Sequence, residues 1–167
     1  MSFKEVDIKT LNMNPFTLIG DEWMLITAGT SEKCNTMTAS WGGVGIMWNK
    51  NVVTTYIRPS RYTKEFVDKE DTFTLSFFNK QYKKALGICG SKSGRDGDKI
   101  SEAGLSVSFD DGTPYINEAN MVLVCKKLYH NIINPENFVD AKIEDNYPIK
   151  DYHTMYIGEI VKVLVKE

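Results

Sequence analysis

The chain has 167 residues, of which 42% are apolar and 25% are charged. This composition has enough apolar side chains to build a hydrophobic core and excludes disorder as the main state, and the length predicts a single domain over residues 1–167. The formal net charge of -2 excludes a strongly basic protein that binds nucleic acid or a membrane surface through its overall charge, although it is compatible with a local basic patch.

Six segments carry the apolar, β-branched or alternating residues that favour strands. In chain order they are residues 23–28, 35–41, 52–57, 72–78, 121–125 with an extension toward 129, and 154–165. Three short segments favour helices, namely 63–69 with Thr63 as its N-cap, 80–88, and 98–103 with Gly104 as its C-terminal stop. Because the strands dominate and the helices are short, the pattern predicts a mainly β fold, an antiparallel barrel with helical excursions, and not a doubly wound α/β fold.

The cysteines and the N-terminus bear on the cellular compartment. Cys34, Cys89 and Cys125 are scattered and form no Cys-x-x-Cys pair, which predicts a reduced, cytoplasmic protein. The first residues lack the apolar run of a signal peptide, and no uncharged apolar stretch approaches the roughly 18 residues of a membrane helix, so no membrane partner is expected.

An arginine-rich turn follows the third predicted strand and leads into the first predicted helix. Arg58 and Arg61 supply guanidinium groups, and Ser60, Tyr62 and Thr63 supply hydroxyls. Together with the unpaired N–H groups of a helix N-terminus, these are the components of a phosphate site. The alternative is a solvated turn in which each arginine pairs with a surface carboxylate.

A glycine- and serine-rich loop over residues 89–99 follows the second predicted helix. With Lys92 it offers many donors and resembles a phosphate cradle, although it lacks the Gly-Lys-Ser/Thr triplet of a Walker A loop. Asp96 and Asp98 would repel a phosphate that they faced. A mobile surface loop is the alternative.

The strand over residues 35–41 is small and polar and ends in Trp41, which Gly42 and Gly43 follow. Such a strand allows a flat ligand to approach its backbone. The alternative is an interior barrel strand in which small residues fit the taper.

The other reactive residues favour no further chemistry. His130 and His153 lie in no metal-binding motif, so we expect no metal site and assign both to structural polar roles. No base stands at a defined spacing from Cys89 or Ser91, which argues against a nucleophile there. Glu159 stands alone on an apolar strand face, and we favour a paired structural carboxylate over a contact across a subunit interface.

The sequence resembles the flavin reductase-like FMN-binding split-barrel family, and within it the flavoredoxin-like branch, over nearly the whole chain. Three passages carry the resemblance. They are Asn-Thr-Met-Thr-Ala-Ser-Trp-Gly at 35–42, Arg-Pro-Ser-Arg-Tyr-Thr at 58–63 and Asp-Tyr-His-Thr-Met-Tyr-Ile-Gly-Glu-Ile at 151–160.

The resemblance implies a six-stranded antiparallel split barrel that is closed by homodimerisation, with FMN near the dimer interface. It also implies three groups of cofactor-binding residues. These are Thr38, Ala39, Ser40 and Trp41 along the isoalloxazine ring, Arg58, Ser60, Arg61, Tyr62 and Thr63 at the phosphate, and Cys89, Gly90, Ser91, Lys92 and Gly94 in a loop that closes over the ribityl phosphate tail.

The activity implied by the resemblance is that of an FMN-dependent oxidoreductase of the flavin reductase type. Such a protein takes hydride from NAD(P)H, a transient co-substrate, and passes electrons to free flavin, ferric iron or a protein acceptor. No catalytic side chain is expected, because FMN carries the chemistry. The alternative is a non-catalytic FMN-binding electron carrier, and a cofactor-free barrel that binds protein or nucleic acid is a more distant one, since the net charge opposes nucleic acid.

Overall fold

β-Strands dominate the structure, a computed structural model that describes residues 2–167. The ten strands formed by these residues are β1 (Phe3–Glu5), β2 (Met24–Gly29), β3 (Cys34–Ala39), β4 (Gly42–Met47), β5 (Lys50–Ile57), β6 (Thr72–Phe77), β7 (Val107–Asp110), β8 (Thr113–Ile116), β9 (Met121–Ile132) and β10 (Thr154–Lys166). The α-helices are α1 (Pro15–Gly20), α2 (Thr63–Lys69), α3 (Lys83–Ser91) and α4 (Lys99–Glu102). Short 3-10 helices lie at Ile8–Thr10, Lys80–Tyr82, Pro135–Asn137 and Ala141–Asn146.

Eight of the strands form one antiparallel sheet that curls into an open barrel. Seven of them follow the order β3-β2-β6-β9-β10-β5-β4, and β1 pairs with the C-terminal half of β10. The two ends of this order, β3 and β4, are consecutive in the chain and are joined by Ser40 and Trp41 alone. The barrel is therefore split between two edge strands, and the chain crosses the split at these two residues. Below, the seam means this gap between β3 and β4.

The strands in the middle of the sheet are buried on both faces. One face fills the barrel with alternate residues such as Ile26, Phe73 and Leu75. The other face packs Leu25 and Val122 against α3, α4 and the β7–β8 hairpin. Burial on both faces explains why β2 and the first half of β9 are nearly continuous apolar runs, whereas β6 buries the polar side chains of Thr74 and Ser76 on one face.

The prediction of a mainly β split barrel with a few short helices is confirmed, and each of the six predicted strands forms. The count of six strands was too low. The glycines of β4 lower its strand propensity, and β1 has only three residues. The β7–β8 hairpin turns at Asp111 and Gly112, which both have positive φ, so its Asp-Gly turn is a signal that the sequence does offer.

Two helix ends differ from the prediction. Thr63 is the first residue of α2 and does not cap it; its hydroxyl instead accepts a hydrogen bond from the Asn35 side chain at 2.9 Å. Helix α3 continues through Ser91, so three residues predicted to begin a loop are helical. Gly104 does follow α4 with a φ of 70°, as a C-terminal stop requires.

Between residues 2 and 167 the helices are all too short or too polar to cross a membrane.

Candidate functional site

A groove of about 260 Å³ opens beside the seam, where β3 ends and the chain crosses to β4. The residues that line it are Met37, Thr38, Ala39, Ser40, Trp41, Tyr56, Arg58, Arg61 and His153. The structure thus brings the end of β3 together with both arginines of the predicted turn. Sequence reasoning missed three of the lining residues, Met37, Tyr56 and His153.

The backbone at the seam has hydrogen-bonding groups that the sheet does not use. Within residues 2–167, strand β3 pairs only with β2, so alternate N–H and C=O groups along its other edge have no strand partner there. The β3 ladder ends at Ala39 and the β4 ladder begins at Gly42, so Ser40 and Trp41 lie outside both. The Trp41 side chain is 45% exposed. A flat ligand with a polar edge is suited to this combination of a strand edge and an aromatic ring.

Helix α3 packs beside β3 and closes one side of the groove. The Thr38 hydroxyl donates to the Leu86 carbonyl of α3. A Cβ at Gly90 would lie 3.3 Å from Thr38 Cβ, so the glycine permits the close approach of helix and strand.

Arg61 and Lys99 meet at the C-terminal end of α3. Arg61 Nη1 donates to the Gly90 carbonyl at 3.0 Å, and Lys99 Nζ donates to the carbonyls of Cys89 and Lys92 at 2.8 and 3.0 Å. These cations satisfy carbonyls that the helix itself leaves unpaired and lie at the negative end of its dipole. Burial lowers the pKa of Arg61, and burial together with the Arg61 charge lowers the pKa of Lys99 to about 8. Burial raises the pKa of the Cys89 thiol, so Cys89 stays protonated and unreactive.

Arg58 joins the end of β5 to the segment between β9 and β10. Its Nη1 donates to Asp151 Oδ1 at 2.9 Å and its Nη2 donates to the Asn146 carbonyl at 3.0 Å. Its guanidinium carbon lies 5.0 Å from the ring centre of Tyr147. Arg58 therefore pairs with a carboxylate, as the alternative of a solvated turn predicts, whereas Arg61 binds backbone carbonyls. Because a guanidinium has five N–H donors, both arginines keep donors for an anion in the groove.

His153 forms part of the groove wall and is buried. Its Nδ1 lies 2.8 Å from the hydroxyl of Tyr147, and its ring centre lies 5.0 Å from that of Trp41. Burial, reinforced by the positive charge of Arg58, lowers the pKa of His153 to about 4, so the imidazole is neutral at pH 7. The sequence signal for this wall residue is its position in the third resemblance passage. For Tyr56 the signal is its spacing of two residues from Arg58, which puts both on one face of the chain.

The remaining residues of the predicted turn lie beside the groove and not in its lining. The Ser60 carbonyl accepts a hydrogen bond from Arg95, whose guanidinium carbon stands 4.6 Å from the ring centre of Tyr62. Thr63 is buried against Asn35. The same Asn35 amide would collide with a Cβ at Gly94. Asn35 thus brings the start of α2 and the glycine-rich loop together.

The loop after α3 lines a separate cavity of about 360 Å³. Its lining residues are Ser91, Lys92, Ser93, Asp96, Gly97, Lys99 and Glu102. The Ser91 hydroxyl donates to the Gly87 carbonyl within α3, and Lys92 forms an ion pair with Glu102. Asp98 turns away to cap α4 at the Ser101 N–H, whereas Asp96 faces the cavity. The carboxylates of Asp96 and Glu102 therefore make this cavity less suited to an anion than the groove.

Glu159 is ion-paired with Lys50 at 2.9 Å, in agreement with the structural interpretation. The residue before it, Gly158, is required for a different reason, which is packing in the core. A Cβ at Gly158 would lie 2.8 Å from the Phe73 ring, so a larger residue would displace a core side chain.

A family model for the flavin reductase like domain matches residues 19–167. The chain belongs to the flavin reductase-like family. This match confirms the resemblance seen in the sequence and covers the groove together with the split barrel that builds it.

Solved structures of this family have the same fold. An FMN-binding domain of a flavin reductases-like enzyme from Shewanella baltica is 18% identical with a TM-score of 0.69, over 98% of this chain and 77% of that chain. A flavoredoxin from Methanosarcina acetivorans is 21% identical with a TM-score of 0.68, over 87% of this chain and 69% of that chain. An NADH:FAD oxidoreductase from Streptomyces globisporus is 18% identical with a TM-score of 0.64, over 87% of this chain and 75% of that chain. A search of curated proteins found no match.

Proposed function

We propose that this chain binds FMN in the groove at the seam and acts as an FMN-dependent oxidoreductase of the flavin reductase type. The proposal rests on one observation: an open strand edge and two guanidinium groups line the same groove. FMN has a flat ring with a polar edge and a terminal phosphate, and these two parts match the two kinds of donor. When bound, FMN supplies hydride and electron transfer, while the protein supplies position and electrostatics.

The ring of FMN would be held by the end of β3 and the crossing. Thr38, Ala39, Ser40 and Trp41 offer backbone groups at the free edge, and one face of the ring would lie against this wall of the groove. The neutral imidazole of His153 adds no charge to this part of the groove.

The phosphate of FMN would be held on the arginine side. Arg58 and Arg61 neutralise part of its charge with the N–H donors that their protein partners leave free. The residues we propose to complete this side are Ser60, Tyr62, Thr63, Cys89, Gly90, Ser91, Lys92 and Gly94. Their proximity to Arg61 and Asn35 supports the proposal, since the turn and the loop meet there.

NAD(P)H is the proposed hydride donor, and free flavin, ferric iron or a protein is the proposed acceptor. The open side of the groove and the exposed ring of Trp41 leave room for a second flat ring to stack. One structural relative is an NADH:FAD oxidoreductase, which supports a nicotinamide donor. Two others are flavoredoxins, which support electron carriage without turnover as the second candidate.

We further propose that residues 1–167 form one flavin reductase-like domain that works as a homodimer in the cytoplasm. Residue 1 lies outside the described residues. The exposed apolar side chains of Ile46, Met47 and Trp48, at the end of the edge strand β4, support the dimer, which would have FMN near its interface. Three free cysteines are in keeping with a reducing compartment.

The visible absorption spectrum tests the cofactor first. The purified protein is measured as isolated, then again after addition of FMN and removal of free ligand, with FMN alone carried through the same separation as the control. We expect flavin bands to stay with the protein. Steady-state oxidation of NADH and NADPH with added flavin or a ferric complex then separates the candidates: turnover indicates a reductase, and retained FMN without turnover indicates a carrier. A protein that takes up no FMN would overturn the proposal.

A further inference from the structure

Tyr147 and His153 form a buried hydrogen-bonded pair at the wall of the groove. The Tyr147 hydroxyl and His153 Nδ1 are 2.8 Å apart, and both residues are more than nine-tenths buried. Phe138 stacks on the Tyr147 ring at a centroid distance of 6.1 Å, and Arg58 lies over it at 5.0 Å. Packing therefore fixes the position of the phenol relative to the imidazole.

The direction of this hydrogen bond follows from the partners that are available. Among residues 2–167, Nδ1 of His153 is the only acceptor within hydrogen-bond distance of the Tyr147 hydroxyl, since the His153 backbone N–H beside it is a donor. A buried phenol hydrogen needs an acceptor, so the hydroxyl donates to Nδ1. A neutral imidazole that accepts at Nδ1 carries its hydrogen on Nε2.

The other ring nitrogen faces open space. No residue between 2 and 167 forms a hydrogen bond with Nε2 of His153, and in that range the fully buried polar side-chain atoms without a partner are Thr55 Oγ1 and Ser76 Oγ. Nε2 is therefore accessible, and the space that His153 borders is the groove.

We propose that Tyr147 is a positioning residue: by donating to Nδ1 it fixes His153 as the tautomer with hydrogen on Nε2, and so gives the groove a neutral hydrogen-bond donor for an acceptor atom of the bound flavin. The identity of the ligand rests on the proposed function, whereas the tautomer does not. The donor differs in kind from Arg58 and Arg61, because it orients a ligand without adding charge.

Burial is the main reason that the pKa of His153 is low and the imidazole stays neutral, and the charged groups around it do not reverse this. Arg58 disfavours the imidazolium and Asp151 favours it, but Asp151 is itself paired with Arg58 at 2.9 Å. Arg61 and Tyr56 line the groove with His153, and burial raises the pKa of the Tyr147 phenol. The donor on Nε2 therefore persists through neutral pH.

Nitrogen-15 NMR of the histidine side chains in the FMN-free protein tests the tautomer. The chain has two histidines, so a His130→Gln variant assigns the His153 signals. In the wild type we expect hydrogen on Nε2 and an unprotonated Nδ1. Hydrogen on Nδ1 instead would overturn the proposal, and this measurement needs no variant at position 147.

Tyr147→Phe tests the cause, with Tyr152→Phe as the matched control. Tyr152 lies in the same aromatic cluster, 5.0 Å from Tyr147 between ring centres, but its hydroxyl goes to Glu144. Because a donor to Nδ1 stabilises the neutral imidazole, its loss should raise the NMR-measured pKa of His153 in Tyr147→Phe and leave it unchanged in Tyr152→Phe. Equal His153 titrations in the two variants would contradict the positioning role.

FMN titrations test the ligand contact. On FMN binding the wild-type Nε2 resonance should move, and Tyr147→Phe should bind FMN about 3- to 10-fold more weakly, the scale of one neutral hydrogen bond. If the Nε2 resonance does not shift on addition of FMN, and the wild type and Tyr147→Phe bind FMN with equal affinity, the contact is ruled out. If the wild type binds no FMN at all, the proposed function fails, while the NMR result for the tautomer still decides whether Tyr147 positions His153.

Discussion

At the scale of single residues, Arg58 and Arg61 combine a structural role with a free donor surface. Each guanidinium holds protein partners on one side, an ion pair for Arg58 and helix carbonyls for Arg61, and borders the groove on the other. The protein partners fix the orientation of each planar group before a ligand arrives. An anion would therefore bind two guanidinium groups that are already ordered, so little further side-chain entropy is lost on binding.

Replacing either arginine tests this arrangement. Arg58→Ala or Arg61→Ala should weaken FMN binding by about 1–3 kcal/mol each, the scale of a hydrogen bond to a charged group. Isothermal titration with FMN measures the loss, and far-UV circular dichroism should stay unchanged. Lys142→Ala, at an exposed position outside the groove lining, is the control for a simple loss of positive charge. Wild-type affinity in both arginine variants would show that the phosphate lies elsewhere.

The residue types at the groove could be predicted from the sequence, but their partners could not. The turn that carries both arginines is visible as a cluster of cations and hydroxyls. Asp151 and the Asn146 carbonyl are 93 and 88 residues from Arg58 along the chain, and no local pattern joins them. The sequence predicts only a structural role for His153, because an isolated histidine just before a strand gives no sign of which cavity it borders.

At the scale of elements, the contact between β3, α3 and the glycine-rich loop shapes the site. Side chains from outside α3 contribute to where it ends, since Arg61 from the turn before α2 and Lys99 from α4 satisfy its last carbonyls. The predicted end at residue 88 missed these tertiary contacts, which extend the helix to Ser91. The strands were easier to predict, because period-two alternation and β-branched residues are local features of each segment and need no tertiary contact. Strand β4 lacked that signal because its glycines carry no side chain.

At Gly94, the addition of a single methyl group would disturb the packing between two elements. In Gly94→Ala the new Cβ would collide with the Asn35 amide, so the loop must move away from α2. We expect the free energy of unfolding to fall by about 1–3 kcal/mol, the scale of an overpacked site, and FMN binding to weaken. Urea unfolding and FMN titration measure the two effects.

Gly97→Ala is the matched control in the same loop. A Cβ at Gly97 meets nothing within 4 Å, and neither glycine has a positive φ. This variant should be neutral or slightly more stable, by up to about 1 kcal/mol. Equal behaviour of the two variants would refute the idea that Asn35 holds the loop against α2.

At the scale of the whole molecule, the open barrel leaves an apolar surface beside the seam. The apolar patch, as named here, consists of Ile46, Met47, Trp48 and Tyr129, with Ile46 73% and Trp48 52% exposed. The rings of Trp48 and Tyr129 lie 6.4 Å apart, which joins the β4–β5 turn to β9. Trp48 and Asn49 both have positive φ, as the two-residue turn between the paired residues Met47 and Lys50 requires. This turn presents the Trp48 ring to solvent, and an exposed apolar patch of this kind favours an interface.

The split barrel could be predicted through the family resemblance, but its strand order could not be read from the residues. Pairings such as β1 with β10 join the two ends of the chain, with Phe3 opposite Lys166. Long-range pairing depends on which apolar faces meet in space, and several orders satisfy the same alternation. The sequence likewise predicts the apolar patch only in part. Tryptophans near a glycine-rich segment are compatible with a place in the core, at an interface or beside a cofactor.

The oligomeric state tests the patch and the proposed position of FMN together. Sedimentation equilibrium should give twice the chain mass of 19.0 kDa for the wild type. Ile46→Glu would bury a charge in the interface, and burial of an unpaired charge is strongly unfavourable, so this variant should sediment as a monomer and bind FMN more weakly. Val139→Glu replaces an apolar side chain outside the patch that is even more exposed than Ile46, and this variant should remain dimeric. A wild type that sediments as a single species near 19.0 kDa and still binds FMN tightly would separate the groove from any dimer interface, and would mean that one chain builds the whole site.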